Sequence, residues 1–120
     1  MNEDEKVRSL YPDILERGGL VSVVRAMLEA RPVPSTINGF GTGQNYAHVQ
    51  LGDKSSQIFL CLDERCFSFD FWQSGHERAS GTSSNLEDVG AAIEYWLTEE
   101  GGVEALVRAF PFVRQREAGR

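Results

Sequence analysis

Positive charge is scarce in this chain. Lysine and arginine account for 12 of its 120 residues, against 18 aspartate and glutamate residues, and the formal net charge is −6. Between Ser35 and Arg78 the basic residues are Lys54, Arg65 and Arg78 alone, so no basic stripe can form there. Because lysine and arginine supply most nucleic-acid affinity by neutralising phosphates, we expect no direct nucleic-acid binding. An acidic protein can instead attract a basic protein partner.

Long apolar runs are also missing. No run approaches the roughly 18 apolar residues that a membrane-spanning helix needs, and residues 1–6 are acidic and lack the core of a signal peptide. We therefore expect a cytoplasmic protein that does not associate with membranes. The apolar fraction of 41% is ordinary for a globular protein. The composition predicts a single domain over residues 1–120, with flexible ends at 1–9 and 115–120.

Cysteine and histidine each occur only twice. Cys61 and Cys66 fall in consecutive predicted strands, and because free cysteine is often simply buried, we expect two reduced thiols. A cross-strand disulfide requires the turn to set the two residues opposite each other. Two cysteines without a second pair do not make a zinc site, and a lone histidine such as His48 is more typical of a surface residue. The sequence therefore predicts neither a metal nor a cofactor.

The most informative stretch is residues 66–72, where three phenylalanines alternate with polar residues. A strand points successive side chains to opposite faces, so Phe67, Phe69 and Phe71 share one face and Asp70 lies on the other. On a helix the same residues would scatter around the axis. The pattern predicts a half-buried antiparallel strand whose phenylalanines face the core.

Three further segments have strand patterns. Residues 46–51 alternate between apolar and polar, residues 57–62 are nearly all apolar, as in a central strand buried on both faces, and residues 76–81 are short and polar, as in an edge strand. The short connections allow only antiparallel hairpins, so these segments predict a four-stranded meander. A further short strand is possible around residues 36–37.

The glycine-rich run at residues 39–43 is a candidate phosphate-binding loop. Such a loop needs Lys-Ser or Lys-Thr after its last glycine, and Gln44 and Asn45 follow here. We interpret the run as a turn before a strand.

Helical patterns flank the strands. Apolar residues recur with helical spacing from Leu20 to Leu28, Ser84 and Glu87 form a capping-box pattern before a second helix, and residues 103–110 predict a third. Amphipathic helices with one apolar stripe each must cover one face of a sheet. We therefore predict a two-layer α+β domain, in which an antiparallel four-stranded meander has an N-terminal helix and two C-terminal helices packed on one face.

The sheet face opposite the phenylalanines is the candidate binding surface. An exposed tryptophan among charged residues is typical of a protein-binding patch, since tryptophan and arginine dominate binding hot spots. The other interpretation of Trp72 is that it closes the core at the strand end. The predicted partner-binding residues are Asp70, Trp72, Glu77, Arg78, Asp63 and Glu64.

A small-molecule-binding or catalytic role is the alternative. His76 could act as a general base oriented by Asp70, with Cys66 as the nearest nucleophile. Nothing in the sequence marks Cys66 as activated, and no oxyanion donors can be assigned. We therefore predict no catalytic residue and favour a non-enzymatic role.

Four segments of the C-terminal half carry a resemblance to known proteins: RCFSFDFW at 65–72, ASGT at 79–82, LEDV to YWL at 86–97 and FPFV at 110–113. Residues 55–116 resemble an actinobacterial family labelled natural-product biosynthesis proteins, and are similar to small acidic immunity proteins of polymorphic toxin systems. The resemblance implies an accessory role in biosynthesis or inhibition of a toxin, through a protein or peptide partner. It brings no catalytic motif.

Overall fold

The computed structural model describes residues 2–31, 33, 36–38 and 44–116, so the glycine-rich run at 39–43 lies outside the described residues. The helices are α1 (Glu3–Leu10), α2 (Pro12–Glu16), α3 (Leu20–Glu29), α4 (Leu86–Thr98) and α5 (Gly102–Ala109). The strands are β1 (Thr36–Asn38), β2 (Tyr46–Leu51), β3 (Lys54–Leu60), β4 (Phe67–Gln73), β5 (His76–Ser83) and β6 (Val113–Gln115). The α+β class and the antiparallel sheet are confirmed.

The sheet has six strands rather than the predicted four, in the order β1-β2-β3-β4-β5-β6. Every neighbouring pair is antiparallel, so the predicted meander is extended by one short strand at each edge. The possible strand near residue 36 is confirmed as β1. The prediction that residues 76–81 form an edge was wrong, because Ala79, Ser80 and Gly81 of β5 pair with β6.

Strand β3 has one buried face, so the prediction that it is buried on both faces was also wrong. Ser56, Ile58 and Leu60 are buried, whereas Phe59 is 38% exposed. Phe59 points away from the core and its ring lies against Tyr46 of β2, with 4.9 Å between ring centroids. The apolar run therefore combines core residues with one exposed aromatic residue.

The phenylalanines of β4 are the centre of the core, as predicted, and each is at most 1% exposed. Each ring meets an aromatic residue from a different part of the chain. The pairs, with their centroid distances, are Phe67 with Tyr11 at 6.0 Å, Phe69 with Phe112 at 5.8 Å and Phe71 with Trp96 at 5.9 Å. One strand thereby joins the segments before and after the sheet into a single buried cluster.

The helix predicted from residue 20 is confirmed as α3, but the predicted cap of α4 was wrong. Asn85, not Ser84, is the N-cap residue, and its side-chain oxygen accepts a hydrogen bond from the Glu87 amide at 2.9 Å. Ser83 in turn accepts one from the Asn85 amide at 3.1 Å. Asparagine caps helices as well as serine does, so spacing alone could not choose between neighbouring candidates.

The start of the chain that the sequence predicts to be flexible, residues 1–9, overlaps α1, which spans residues 3–10. Asn2 caps this helix by accepting a hydrogen bond from the Glu5 amide at 2.9 Å, and Val7 is buried. At the other end, Gln115 belongs to β6 and the Arg116 amide donates to the Arg78 carbonyl at 2.8 Å. Residues 117–120 lie outside the described residues.

Cys61 and Cys66 form a disulfide, with their Cα atoms 5.3 Å apart, so the expectation of reduced thiols was wrong. The connection from β3 to β4 brings them together, because the Cys61 amide donates to the Cys66 carbonyl at 3.0 Å. In the part of the chain that the structure describes, no helix has the length and apolar character needed to cross a membrane.

Candidate functional site

The face of the sheet opposite the core, which we call the open face, presents its side chains in three rows across the strands. Residues directly opposed in an antiparallel ladder point to the same side. The rows are Tyr46, Phe59, Ser68 and Thr82; then His48, Gln57, Asp70, Ser80 and Arg114; then Gln50, Ser55, Trp72 and Glu77. All of these are partly or fully exposed, whereas the buried side chains of the helices join the core on the other face.

Asp70 lies at the centre of the middle row and is held by its neighbours. Its Oδ1 atom accepts hydrogen bonds from the indole Nε1 of Trp72 at 2.8 Å and from the amide of Gln57 at 3.2 Å. Oδ2 accepts no hydrogen bond from any described residue. The carboxylate is therefore fixed in orientation, with one oxygen left available.

Burial raises the pKa of Asp70 to about 6, although the hydrogen bonds from Trp72 and Gln57 act in the opposite direction. The charge of Glu77 raises this pKa further and that of Arg116 lowers it. Burial, together with the charge of Asp70, also raises the pKa of Tyr46. A carboxyl group that titrates near neutral pH is typical of a functional site, although structural carboxylates also show such shifts.

Trp72 belongs to the open face, and Trp96 takes the core position that the other interpretation assigned to Trp72. The indole of Trp72 is partly exposed, while Trp96 is 1% exposed and its Nε1 donates to the Trp72 carbonyl at 3.3 Å. The register shifts beside Trp72, which pairs with Glu77 and leaves Arg78 in a β-bulge. Such bulges redirect side chains at functional sites.

Four of the predicted partner-binding residues are therefore brought together at one end of the open face: Asp70, Trp72, Glu77 and Arg78. Glu77 forms an ion pair with Arg116 at 2.6 Å, so its charge is largely compensated. Sequence reasoning missed Phe59 and its partner Tyr46 on the same face. The alternation of Ser56, Ile58 and Leu60 along β3 was the signal that could have found Phe59.

Asp63 and Glu64 lie elsewhere, in the exposed connection that leads into β4. Trp72 is close to the far end of that strand, and at about 3.3 Å per residue the strand separates the two groups by roughly 20 Å. Glu64 contributes a backbone carbonyl, not its side chain, to a contact with the Tyr11 hydroxyl at 3.2 Å.

The Tyr11 hydroxyl is the centre of that second cluster. It lies 2.6 Å from the Cys61 carbonyl and 2.8 Å from the Cys66 carbonyl, and it accepts a hydrogen bond from the Cys66 amide at 3.0 Å. Arg65 binds both carboxylate oxygens of Asp13, at 2.7 and 2.8 Å. These contacts attach the disulfide-closed loop to the N-terminal helices, which is a structural role.

The structure does not bring together His76, Asp70 and Cys66, the residues of the catalytic alternative. His76 is exposed in the hairpin between β4 and β5, opposite Gln73, whereas Cys66 precedes the other end of β4 and is part of the disulfide. Asp70 bonds to Trp72 and Gln57 rather than to His76. Among the described residues, no three histidine, cysteine or acidic side chains form a group that could hold a metal ion.

Beside Asp70, toward β6, the open face has a groove lined with hydroxyl groups. Its volume is about 590 Å³, and its lining includes Ser68, Ser80 and Thr82 together with Phe112 and Arg114. Ser80 is the direct cross-strand partner of Asp70, so the groove adjoins Asp70. Arg114 makes no ion pair with any described residue.

Comparison of this chain with protein families, with curated proteins and with solved structures finds no match.

Proposed function

We propose that this chain is a non-enzymatic binding module that holds a protein partner on its open face. The supporting observation is a partly exposed aromatic and carboxylate surface, built from Trp72, Phe59, Tyr46 and Asp70, on a sheet face that the helices leave uncovered. Aromatic residues are enriched in the cores of protein interfaces. Strands hold such side chains in fixed positions, which lowers the entropy lost on binding.

The charge of the chain favours a basic partner. The net charge is −6, and complementary charge speeds the encounter of two proteins. Two settings suit this chemistry, and both come from the resemblance of residues 55–116. One is an accessory role in natural-product biosynthesis, and the other is an immunity-type inhibitor that covers the active site of a toxin.

The cytoplasmic setting remains part of the proposal, and the disulfide makes it testable. Disulfides are rare in the cytosol because cellular reductants keep thiols reduced. Rapid alkylation of cells followed by mass spectrometry tests the setting, because free thiols at Cys61 and Cys66 would support the cytoplasm and would mean that the disulfide is reduced there. A fully oxidised pair would place the protein in an oxidising compartment.

The binding proposal is tested by affinity for a purified partner isolated from the native host. We expect Trp72→Ala and Phe59→Ser each to weaken binding at least about tenfold, as for hot-spot residues. Tyr95→Ser is a matched control, because Tyr95 also forms a ring pair, at 5.5 Å with Phe110, but on the helical side. Calorimetric titration gives the affinities, and circular dichroism shows that each variant is folded.

Two outcomes would contradict the proposal. If both open-face variants bind with wild-type affinity, the partner uses another surface. If Tyr95→Ser reduces affinity as much as they do, the effect is a general loss of structure.

A further inference from the structure

One oxygen of Asp70 accepts no hydrogen bond from the described residues. A carboxylate has two oxygens with about four acceptor positions, and here both donors from the described residues go to Oδ1. Asp70 is partly exposed on the open face. Its Oδ2 atom is therefore available to a donor from a partner.

Among the described residues, no cation pairs with Asp70 at this position. Arg116 binds Glu77 at 2.6 Å. Arg114 is at the end of the same row, two strands from Asp70, which is about 10 Å at the usual strand spacing. His48, also two strands away on the other side, is separated from Asp70 by Gln57. Glu77 and Arg116 are the described charged groups that act on Asp70, and they pair with each other.

Two aromatic residues of the open face lie on either side of the Asp70 row. The indole of Trp72 is bonded to the same carboxylate, and Phe59 lies on the diagonal position of the next strand, where side chains are about 7–8 Å away and within reach of a long group. A guanidinium group is planar, donates hydrogen bonds to a carboxylate and stacks on aromatic rings. A lysine ammonium group is more strongly hydrated, so it gains less binding energy from contact with aromatic rings.

We propose that the open face recognises an arginine side chain of its protein partner, with the guanidinium group donating to Asp70 Oδ2 between Trp72 and Phe59. This inference rests on the proposed function and specifies the chemistry of the partner. It also agrees with the acidic charge of the chain.

The proposal predicts a dependence on pH. The pKa of free Asp70 is raised to about 6, and a bound cation favours the ionised carboxylate, so affinity for arginine falls as pH is lowered through this value. The other ionisable groups near Asp70 are Glu77 and Arg116, which pair with each other, Tyr46, Arg114 and His48. His48→Gln is the control for the imidazole in the same row and should keep the pH dependence.

The first experiment uses N-acetyl-arginine methylamide as the probe and needs no partner. In an NMR titration we expect saturable shifts of the Asp70 carboxyl carbon and the Trp72 indole N–H. Asp70→Asn should reduce the affinity about tenfold or more, as for other pairs that lose one charge, while Arg114→Ala should not weaken it. Absence of a saturable shift, or equal affinity in Asp70→Asn, overturns the inference. Equal affinity for the lysine analogue overturns the choice of guanidinium.

The second experiment separates this inference from the proposed function. Binding of the purified partner is measured with Asp70→Asn beside Phe59→Ser. Loss in both variants supports the arginine site. Loss in Phe59→Ser alone leaves the binding face in place and overturns the arginine site, and wild-type binding by both variants overturns the face itself.

Discussion

At the scale of single residues, Asp70 combines a structural position with the proposed binding position. Its Oδ1 atom orders the Trp72 indole and the Gln57 amide, so it is part of the sheet. Its ionised form is nevertheless unfavourable, because the loss of water on burial outweighs the hydrogen bonds to Asp70 and the charge of Arg116. Binding sites commonly sacrifice stability in this way.

The first prediction follows from the sign of this pKa shift. A carboxyl group whose pKa is higher in the folded state, here about 6 against 3.8, binds its proton more tightly when folded. Stability therefore falls as pH rises from about 4 through 6. Asp70→Asn removes this loss, and we expect it to raise the free energy of unfolding by about 1–2 kcal/mol at pH 7.5, after allowance for solvent screening. At about pH 4 the gain should vanish.

Urea denaturation at the two pH values measures this difference. Asp53→Asn, in the exposed turn between β2 and β3, is a matched control. A gain that is the same at both pH values would show that the charge of Asp70 is not its cause.

At the scale of elements, the loop between β3 and β4 shows how the N-terminal helices are attached to the sheet. The Cys61–Cys66 disulfide closes a short loop, and the loop carbonyls converge on the Tyr11 hydroxyl at the end of α1. Arg65 adds a contact between its guanidinium and the Tyr11 ring, at 5.3 Å from the ring centroid. The loop and the tyrosine therefore depend on each other.

The second prediction is that their contributions to stability are coupled. Tyr11→Phe leaves the Cys66 amide and three carbonyls without the hydroxyl, which should cost about 1–3 kcal/mol. Replacing both cysteines with serine should cost about 2 kcal/mol, from the entropy of a short loop. In a double-mutant cycle we expect the combined loss to be smaller than the sum by at least about 0.5 kcal/mol, because an open loop no longer holds its carbonyls around the hydroxyl. Additive losses would contradict this coupling.

The elements also show which parts of the fold can be predicted from sequence. Alternation over seven residues of β4 and helical spacing over α3 bury a continuous apolar face, and such patterns predict both type and orientation. β1 and β6 have three residues each, too few for a pattern, and they form because the sheet offers them an edge. The disulfide depends on the path of the β3–β4 connection, which spacing along the chain does not determine.

The positions of the candidate site residues could also be predicted from the sequence only in part. Asp70 and Trp72 share a face with Ser68 by strand alternation, so their exposure followed from the burial of the phenylalanines between them. The position of Arg78 depends on the bulge beside Trp72. The exposure of Phe59 was not predicted because this residue lies in an apolar run. Asp63 and Glu64 are far from Trp72 because they lie at opposite ends of β4.

At the scale of the whole molecule, the negative charge lies mainly away from the open face. There Glu77 pairs with Arg116, whereas many of the acidic residues lie on the helices and in exposed turns. In the proposed complex, the net charge of the chain would attract the partner at long range and the open face would make the contacts.

The third prediction separates these two contributions by their response to salt. Long-range attraction affects the association rate and is screened over about 10 Å at 0.1 M salt. Between 0.05 and 0.5 M salt we expect the association rate with a basic partner to fall about tenfold, and the dissociation rate to change less than about threefold. Stopped-flow measurements give both rates. A fall that appears mainly in dissociation would show that surface charges form part of the contact itself.

The aromatic pairs of β4 have a consequence for the chain during its synthesis. Tyr11 precedes β4, so a partner for Phe67 has already left the ribosome when this strand emerges, but Trp96 and Phe112 have not. Synthesis proceeds at about 5–20 residues per second. Phe69 and Phe71 therefore emerge on the order of seconds before Phe112 and Trp96, whose rings pack against them. During that interval the nascent hairpins expose the part of their future core that the C-terminal helices cover, which is the kind of surface that chaperones bind and that aggregates. The C-terminal helices thus cover this exposed surface once they are synthesised, and they complete the second layer of the domain.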